Sequence, residues 1–360
     1  MNKIWTVLIS VALAFLCAGC PPTATPTPTP TFKLVYAAEN GEIAGINPQT
    51  VKKGLDGTEV EALAKEGYHF VKWSDGVATA SRTDTDVQAD ISVRASFEPN
   101  WKTLDFPGAT STQVCGIHQG KVFGSYRDVS GIQHGFLYDI ETESYATFDF
   151  PGAVSTEVCG IDGSNIAGSC WDNANPGWHG FLYDVEKKTY AAIDMPGATN
   201  TEVCGIDGSN IVVVCYNNPC MVSSFLYDGK NWVRLEKPGA TNTEVCGISG
   251  NKIVGVYFDA SGWHTFLYDI ETESYVTIDK PEAISVEARG ISGNKLVGVY
   301  SDDSHNSHGF LCDGESWTTI DKPGVTGYTC PIGISDNKIV GDCVDASGIQ
   351  HGFLYTIPEP

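Results

Sequence analysis

From residue 101 to the C-terminus, apolar and polar positions alternate in short runs that are separated by glycine-containing turns. In residues 243–279 this pattern predicts four strands, at 243–248, 252–257, 264–269 and 275–279. Ser249-Gly250-Asn251, between the first two strands, is a hairpin signal. A unit of four short antiparallel strands cannot bury both of its faces alone, so it needs neighbours of the same kind.

The same unit occurs six times along the chain. Its Gly-Ile pair begins at Gly116, Gly160, Gly205, Gly247, Gly290 and Gly333. Its Phe-Leu pair, in the third strand, begins at Phe136, Phe181, Phe225, Phe266, Phe310 and Phe353. Six copies of four strands predict an all-β fold whose larger domain is a six-bladed β-propeller. A β-solenoid and a two-sheet sandwich are the alternative folds.

The two ends of the repeat region predict how such a propeller closes. Residues 101–106 read as a strand without a unit of its own. The last unit ends after its third strand, where Pro358 and Pro360 forbid a fourth. We therefore expect residues 101–106 to pair with residues 352–356 and complete the ring.

The chain before the repeats divides into three further segments. Lys3, an apolar run at 4–16 and small residues before Cys20 predict a signal peptide at 1–19, too short to span a bilayer as a helix. Residues 20–31 are a Pro/Thr tract, which predicts an extended spacer. Residues 32–99 alternate in short runs bounded by Gly, Asp or Pro, which predicts a small β-rich domain, and the propeller takes residues 101–360.

Charge narrows the choice of partners. With 44 acidic and 22 basic residues the formal net charge is −22, which disfavours nucleic acid and anionic lipid. We expect a monomer with no nucleic-acid partner. The sequence contains no H-E-x-x-H, P-loop, dinucleotide or nucleophile motif, so a binding protein is favoured over an enzyme.

Residues 16–20, LCAGC, resemble the lipobox of bacterial lipoproteins. The resemblance implies that Cys20 becomes a lipidated N-terminus and anchors an exported protein to a bacterial membrane, facing the periplasm or the cell surface. An ordinary secretory signal is the alternative.

Two further resemblances cover the folded part of the chain. GYHF at 67–70, WSDG at 73–76 and ASF at 95–97 resemble the divergent internalin B-repeat family. That family implies a β-grasp-like module of bacterial surface proteins. The repeats, with GI at 116–117, GSY at 124–126 and HGFLY at 134–138, resemble the extracellular HAF-repeat family. This second resemblance implies export and a propeller-like fold, and it brings no established activity.

One register of the first strand carries acidic residues in four of the six units. Its members are Gln113, Glu157, Glu202, Glu244, Glu287 and Cys330. If the first strand lines a central channel, four carboxylates face the channel mouth and attract a cation or a polyhydroxyl ligand. Ca²⁺ is the natural cation, since hard ions prefer oxygen ligands. The alternative is that these glutamates bond the loops of adjacent blades.

The loops on the same face of the propeller differ from copy to copy. Aromatic rings among carboxylates suit carbohydrate or peptide recognition. The candidate residues are Trp171, Trp178, Trp263, Asp302, Asp303 and His305. Loop drift without a function is the alternative.

The recurring histidines and cysteines are interpreted as structural. We expect each histidine of the third strand to bond its own loop, for example His264 with Asp259. Cys115, Cys159, Cys204 and Cys246 are expected to pack as small apolar side chains between blades. Cys215 and Cys220 are placed for a local disulfide.

These observations favour an exported, lipid-anchored surface protein that binds a carbohydrate or another extracellular polymer and needs no cofactor. An enzyme that hydrolyses or cleaves a polysaccharide with channel-mouth carboxylates is one alternative. A purely structural envelope protein is the other.

Overall fold

The computed structural model describes residues 28–217, 221–325 and 327–358. Within these ranges the chain forms strands and turns without a helix, so it contains no helix that could span a membrane. The described residues form two compact units. One holds the residues up to Leu63 together with Lys72–Ser96, and the other holds Ala64–Val71 together with the chain from Phe97 onward.

Seven strands precede the repeats. They are β1 (Thr31–Ala38), β2 (Gly41–Gly45), β3 (Gln49–Lys52), β4 (Val60–Ala64), β5 (Tyr68–Trp73), β6 (Ser81–Arg82) and β7 (Ile91–Pro99). They form a four-stranded sheet of order β3-β1-β7-β5 and a three-stranded sheet of order β2-β4-β6. Trp73 is fully buried, and its indole donates a hydrogen bond of 3.0 Å to the carbonyl oxygen of Thr79. This side chain therefore serves the core, and it is not available for ligand stacking.

The repeat region forms six four-stranded antiparallel sheets within the described residues, which we number in chain order. Sheet 1 holds β9 (Ser111–His118), β10 (Lys121–Arg127), β11 (Gln133–Asp139) and β12 (Ser144–Phe148). Sheet 2 holds β13 (Ser155–Asp162), β14 (Asn165–Asp172), β15 (Gly177–Asp184) and β16 (Thr189–Ala192). Sheet 3 holds β17 (Asn200–Asp207), β18 (Asn210–Asn217), β19 (Met221–Tyr227) and β20 (Trp232–Leu235).

Sheets 4 to 6 repeat this order. Sheet 4 holds β21 (Asn242–Ser249), β22 (Lys252–Asp259), β23 (Gly262–Asp269) and β24 (Ser274–Ile278). Sheet 5 holds β25 (Ser285–Ser292), β26 (Lys295–Ser301), β27 (Ser307–Cys312) and β28 (Trp317–Thr319). Sheet 6 holds β29 (Thr329–Ser335), β30 (Lys338–Val344) and β31 (Gln350–Thr356), and its fourth strand is β8 (Trp101–Leu104).

The pairing of β8 with β31 is the pairing that the two chain ends predict. Leu104 lies opposite Gly352 and Trp101 lies opposite Tyr355. The indole of Trp101 packs edge-on against the buried ring of Phe353, with 5.2 Å between ring centroids. The N-terminal strand of the repeat region is therefore built into its last sheet.

A β-bulge interrupts the pairing of the first and second strands in every sheet. In sheet 2, Val158 pairs with Gly168 and Gly160 pairs with Ala167, so that Cys159 has no partner across the strand. The corresponding unpaired residues of the six sheets are Cys115, Cys159, Cys204, Cys246, Arg289 and Ile332. A bulge re-aims the extra side chain, and all six line one cavity.

In sheets 2, 5 and 6 the glycine that follows the bulge lies close to the backbone of the neighbouring sheet. A Cβ atom added to Gly160 would lie 3.1 Å from the backbone nitrogen of Ile206 in sheet 3. A Cβ added to Gly333 of sheet 6 would lie 2.9 Å from the Cα of Gly116 in sheet 1. Glycine permits such an approach because it has no Cβ. At these positions the Gly-Ile pair is part of the packing surface between sheets.

Side chains also bond a backbone N–H of the next sheet. The N–H groups of Val203, Val245 and Ala288 donate to hydroxyl oxygens of the preceding sheet at 2.9–3.0 Å. The acceptors are Ser169, Ser224 and Thr265. A buried N–H without an acceptor costs about 1–3 kcal/mol, so these bonds fix the arrangement of neighbouring sheets.

Candidate functional site

The first strands of all six sheets line one cavity of about 530 Å³, which we call the axial cavity. Its polar lining includes Gln113, Glu157, Glu202, Glu244, Arg289 and Asp342. The sequence predicted that the glutamate register faces such a space, and three of its four glutamates do. The fourth, Glu287, is not among the lining residues and instead accepts a hydrogen bond of 2.7 Å from Arg289.

Burial changes the protonation of these glutamates. Desolvation is the main cause that raises the pKa values of Glu157, Glu202 and Glu244. The pKa of Glu202 reaches about 6 because the neighbouring carboxylates of Glu157 and Glu244 add to the effect. The carboxylates are therefore crowded enough to repel one another, and a ligand that donates hydrogen bonds or positive charge relieves that repulsion.

Arg289 stands in the bulge position that holds cysteine in four other sheets. Burial lowers the pKa of its guanidinium, but nearby thiols and the carboxylates of Glu287 and Glu244 more than offset this and raise it. The axial cavity thus contains a permanent cation among its acids.

Asp342 is the most deeply buried acid of the cavity, with 3% of its surface exposed. It stands on β30 at the register of Ser125 and Ser169, and its Oδ1 accepts a 2.8 Å bond from the N–H of Val114 in sheet 1. Gln350 donates to its Oδ2 at 2.8 Å. Desolvation, together with Glu157, raises the pKa of Asp342 to about 7 despite both bonds.

The cysteines of the bulges have two kinds of surroundings. Cys115, Cys159 and Cys204 pack against apolar clusters between neighbouring sheets, as expected. Together with Cys246 they also line the axial cavity as free thiols, which was not expected. The Cys115 thiol donates a hydrogen bond of 3.1 Å to Oε1 of Glu157. The contact between the Cys115 and Cys159 thiols is the largest cause that raises the pKa of Cys115. The bulge, which alternation alone does not predict, turns them inward.

The Ca²⁺ hypothesis finds no group of ligands to support it. Among the described residues, no three or more His, Cys, Asp or Glu side chains lie together in an arrangement that could hold a metal ion. Arg289, placed among the acids, supplies a positive charge of its own.

The divergent loops lie beside the starts of the first strands, as expected. The N–H of Thr241, before β21, donates to the carbonyl oxygen of Phe258 at the end of β22. Trp171 and Trp178 pack edge-on across β14 and β15, with centroids 6.0 Å apart. Trp263 is 36% exposed beside Phe258, which is 40% exposed, with centroids 5.3 Å apart. Phe258 was missed because it lies one residue beyond the predicted strand.

Of the acidic loop residues, Asp302 serves its own turn. Its Oδ1 accepts bonds from the N–H groups of Ser304 and Asn306. The side-chain amide of Asn306, which donates to Oδ2 at 3.1 Å, is the largest cause that lowers the pKa of Asp302. Asp303 is exposed beside it, and His305 has a positive φ of 64° at the tip of the turn. The structure therefore gives Asp302 a local structural role and does not bring these residues to the axial cavity.

The five third-strand histidines bond their own loops, as predicted, and a second partner was missed. Nε2 of His264 lies 3.5 Å from Asp259, whereas Nδ1 lies 3.1 Å from Asp279 after the fourth strand. The same Nδ1 contact joins His134 to Asp149, His179 to Asp194, His308 to Asp321 and His351 to Asp105. The imidazole thus ties the third strand to the fourth in five sheets.

Two predicted features fall outside the described residues. The lipidation site Cys20 does so entirely. For the disulfide, Cys215 is buried with its Sγ 3.8 Å from Oγ1 of Thr201, and Cys220 lies in the undescribed segment. Both remain predictions.

Comparisons with known proteins identify the smaller domain. Residues 32–101 match a family model described as a divergent InlB B-repeat domain. No curated protein matches the chain.

Similar solved structures include β-propeller proteins at low identity. The β-propeller domain of the Trilobed protease from Pyrococcus furiosus has 10% identity and a TM-score of 0.44, covering 69% of this chain and 94% of that chain. TolB from Acinetobacter baumannii has 14% identity and a TM-score of 0.43, and the match covers 88% of this chain and 79% of that chain. A mutant Aleuria aurantia lectin in complex with alpha-methyl-L-fucoside has 12% identity and a TM-score of 0.43, and the match covers 72% of this chain and 99% of that chain. TM-scores below 0.5 are too low to carry an argument, so the architecture rests on strand order and packing.

Proposed function

We propose that the repeat region is a closed six-bladed β-propeller of the HAF-repeat type. The support is the common strand order of the six sheets, the place of β8 in sheet 6, and the approach of Gly333 to Gly116. The bond from the Val114 N–H to Asp342 also joins the first sheet to the last. These contacts support a ring of six sheets around the axial cavity.

The function that this geometry supports best is carbohydrate binding at the axial cavity. The observation that carries it is the grouping of Glu157, Glu202, Glu244 and Asp342 with Arg289 in one cavity. Carboxylates accept hydrogen bonds from sugar hydroxyls, and guanidinium donates to ring and hydroxyl oxygens. About 530 Å³ falls in the usual size range of small-ligand sites, roughly 300–1,000 Å³. A sugar residue at the end of an extracellular polymer fits this site.

The test is a glycan array followed by calorimetric titration with the best glycan. We expect Glu202→Gln and Glu244→Gln to weaken binding at least tenfold, because each removes charge from the cavity wall. Glu141→Gln and Glu271→Gln, in exposed hairpin turns, are matched controls that should bind as the wild type does. Unchanged affinity in both cavity variants would exclude this site. The absence of any glycan ligand would favour the purely structural role.

Catalysis is the second candidate, because the axial cavity holds several carboxyl groups. Burial raises the pKa of Asp342 to about 7 and that of Glu202 to about 6, so either could serve as a general acid. A glycoside hydrolase needs one such acid and a second carboxylate. Reducing ends that accumulate with the wild type but not with Asp342→Asn or Glu202→Gln would establish an enzyme. Intact ligand after long incubation would leave binding as the function.

We further propose that the protein is exported and anchored to a bacterial membrane through a lipid on Cys20. The Pro/Thr spacer and the InlB-repeat-like domain then hold the propeller away from the bilayer. The resemblance of residues 16–20 to a lipobox is what supports the anchor; the net charge of −22 disfavours adhesion to anionic lipid by charge alone.

A further inference from the structure

A second cavity, of about 680 Å³, lies beside sheet 3 and shares no lining residue with the axial cavity. Its described lining runs from Val222 to Ser224 and from Arg234 to Thr243. This sheet departs most from the repeat, which raises the question of what its departures build. We call this space the sheet 3 cavity.

The cavity adjoins a position of sheet 3 where an aromatic ring of the sibling sheets is missing. In sheets 1, 4 and 5 a tyrosine of the second strand stacks on the histidine opposite it, as Tyr257 does on His264 with centroids 5.2 Å apart. In sheet 3 that cross-strand pair is Cys215 and Ser223. Among the six described sheets, sheet 3 alone lacks both rings. Ser223, which stands in place of the histidine, lines the cavity, whereas Cys215 is fully buried in an apolar cluster.

The same sheet places cations at this space. Arg234 stands in the register of Thr147 and Thr277, whose hydroxyls contact the tyrosines in sheets 1 and 4. Its guanidinium lies 2.6 Å from Glu236 and donates to Ser223 Oγ at 3.4 Å, and the side chain stays 46% exposed. Lys237 also lines the cavity. Two cations against one acid give the lining a net positive charge in a chain of net charge −22.

An aromatic surface adjoins the cavity. The loop that lines it ends at Thr241, whose N–H and hydroxyl both donate to the carbonyl oxygen of Phe258, at 2.8 and 3.0 Å. Phe258 and Trp263 are the half-exposed ring pair of sheet 4. Sugar rings stack on such surfaces, and carboxylates pair with guanidinium through two parallel bonds.

We propose that the sheet 3 cavity binds the carboxylate of an acidic saccharide, with Arg234 as its partner and Trp263 with Phe258 as the platform for a neighbouring sugar ring. Glu236 holds the guanidinium at the wall and leaves donors free, because guanidinium has five N–H groups. This site is separate from the axial cavity, and it stands whether or not that cavity binds a ligand.

The test is titration of the full mature chain with pentagalacturonic acid and with neutral galactopentaose. We expect binding of the acidic probe and at least tenfold weaker binding of the neutral one. Arg234→Gln should weaken the acidic probe at least tenfold, Arg234→Lys by less, and Trp263→Ala by about three- to tenfold. Ser223→His, which refills the cavity as in the sibling sheets, should abolish binding with the thermal midpoint unchanged.

Two control variants separate this site from others. Arg94→Gln removes an exposed arginine that pairs with Glu39 outside the repeat region, and Glu244→Gln changes the axial cavity. Arg94→Gln should bind pentagalacturonic acid as the wild type does, and the affinity of Glu244→Gln distinguishes this site from the axial cavity. The proposal is overturned by equal affinity for the two probes, by no binding of either, or by unchanged affinity in Arg234→Gln. Loss of binding in Glu244→Gln would assign the ligand to the axial cavity instead.

Discussion

At the residue scale, the neighbours of Pro331 in the preceding sheet explain why proline stands at this position. Its register is that of Val203, Val245 and Ala288, whose N–H groups each find a hydroxyl acceptor. Sheet 5 offers Val299 and Gly309 at the acceptor positions, and neither has a side-chain oxygen. Proline has no N–H to satisfy. A Cβ added to Gly309 would lie 2.8 Å from Pro331 Cδ, so the ring fills the place of the hydroxyl.

If proline stands at position 331 because the preceding sheet offers no acceptor, a new acceptor should restore the stability that is lost when the proline is replaced. Pro331→Val should destabilise the protein by about 1–3 kcal/mol, because it creates a buried N–H without an acceptor. Adding Val299→Ser should recover much of the loss. Ser169 stands at the equivalent position of sheet 2, where its hydroxyl accepts a hydrogen bond from the N–H of Val203. Chemical denaturation of the two single variants and the double variant measures the coupling. Additive effects would refute the relation.

The buried carboxyl of Asp342 predicts a dependence of stability on pH. Its pKa rises from 3.8 to about 7 on folding, mainly through desolvation. The contribution of this carboxyl to the free energy of unfolding is therefore fully present below pH 4. It falls by on the order of 4 kcal/mol as the pH rises through 7.

We expect Asp342→Asn to melt at the temperature of the wild type at pH 4 and above it at pH 8. Thermal unfolding across that range measures this, with the exposed Asp303→Asn as control. A variant whose melting temperature falls with pH as steeply as that of the wild type would contradict the assignment.

Part of the axial cavity was predictable from residues alone. Glu157, Glu202 and Glu244 were found because they share a register. Arg289 and Asp342 were missed, although both break the pattern: the register of Arg289 holds cysteine in four other units, and the register of Asp342 holds serine or valine in the other five. Their burial depends on packing between sheets that are far apart in sequence, and a local sequence pattern does not predict such packing.

At the element scale, alternation predicted each strand of the fourth unit to within two residues. The segment 264–269 is observed as Gly262–Asp269, and 275–279 is observed as Ser274–Ile278. The bulge was not predictable, because Val-Cys-Gly-Ile reads as regular alternation. The extra residue of the bulge lines the axial cavity, so this part of the cysteines' surroundings was missed.

The pairing of β8 predicts a cost that can be compared across sheets. Leu104 is fully buried on β8, as Leu235 is at the same position of β20. If β8 serves as a true fourth strand, Leu104→Ala should cost about 2–5 kcal/mol, as Leu235→Ala should. Leu55→Ala, at a position 56% exposed, should cost little. Denaturation midpoints that leave Leu104→Ala equal to Leu55→Ala would exclude a structural role for the pairing.

At the scale of the whole molecule, the anchor is the prediction that lies farthest from the described residues. We expect Cys20→Ser to move the protein from the membrane fraction to the soluble fraction, because each buried CH₂ of an acyl chain contributes about 0.8 kcal/mol to membrane binding. Fractionation and metabolic labelling with a fatty acid measure this. A labelled Cys20→Ser protein would place the lipid elsewhere, and an unlabelled wild type would favour an ordinary secretory signal.

The bonds from one sheet to the next have a consequence for how such chains can be rearranged. Units 2, 3, 4 and 6 each carry the acceptor for the first strand of the unit that follows in the ring, and the acceptor comes from a different strand in sheets 2 and 3, from Ser169 and Ser224. The units are alike in shape but not interchangeable. Transposing unit 6 to follow unit 4 would set Pro331 against Thr265 and strand a hydroxyl. The order of the copies is thus part of the folding code, and a permuted chain should respect it by moving its ends without exchanging neighbours.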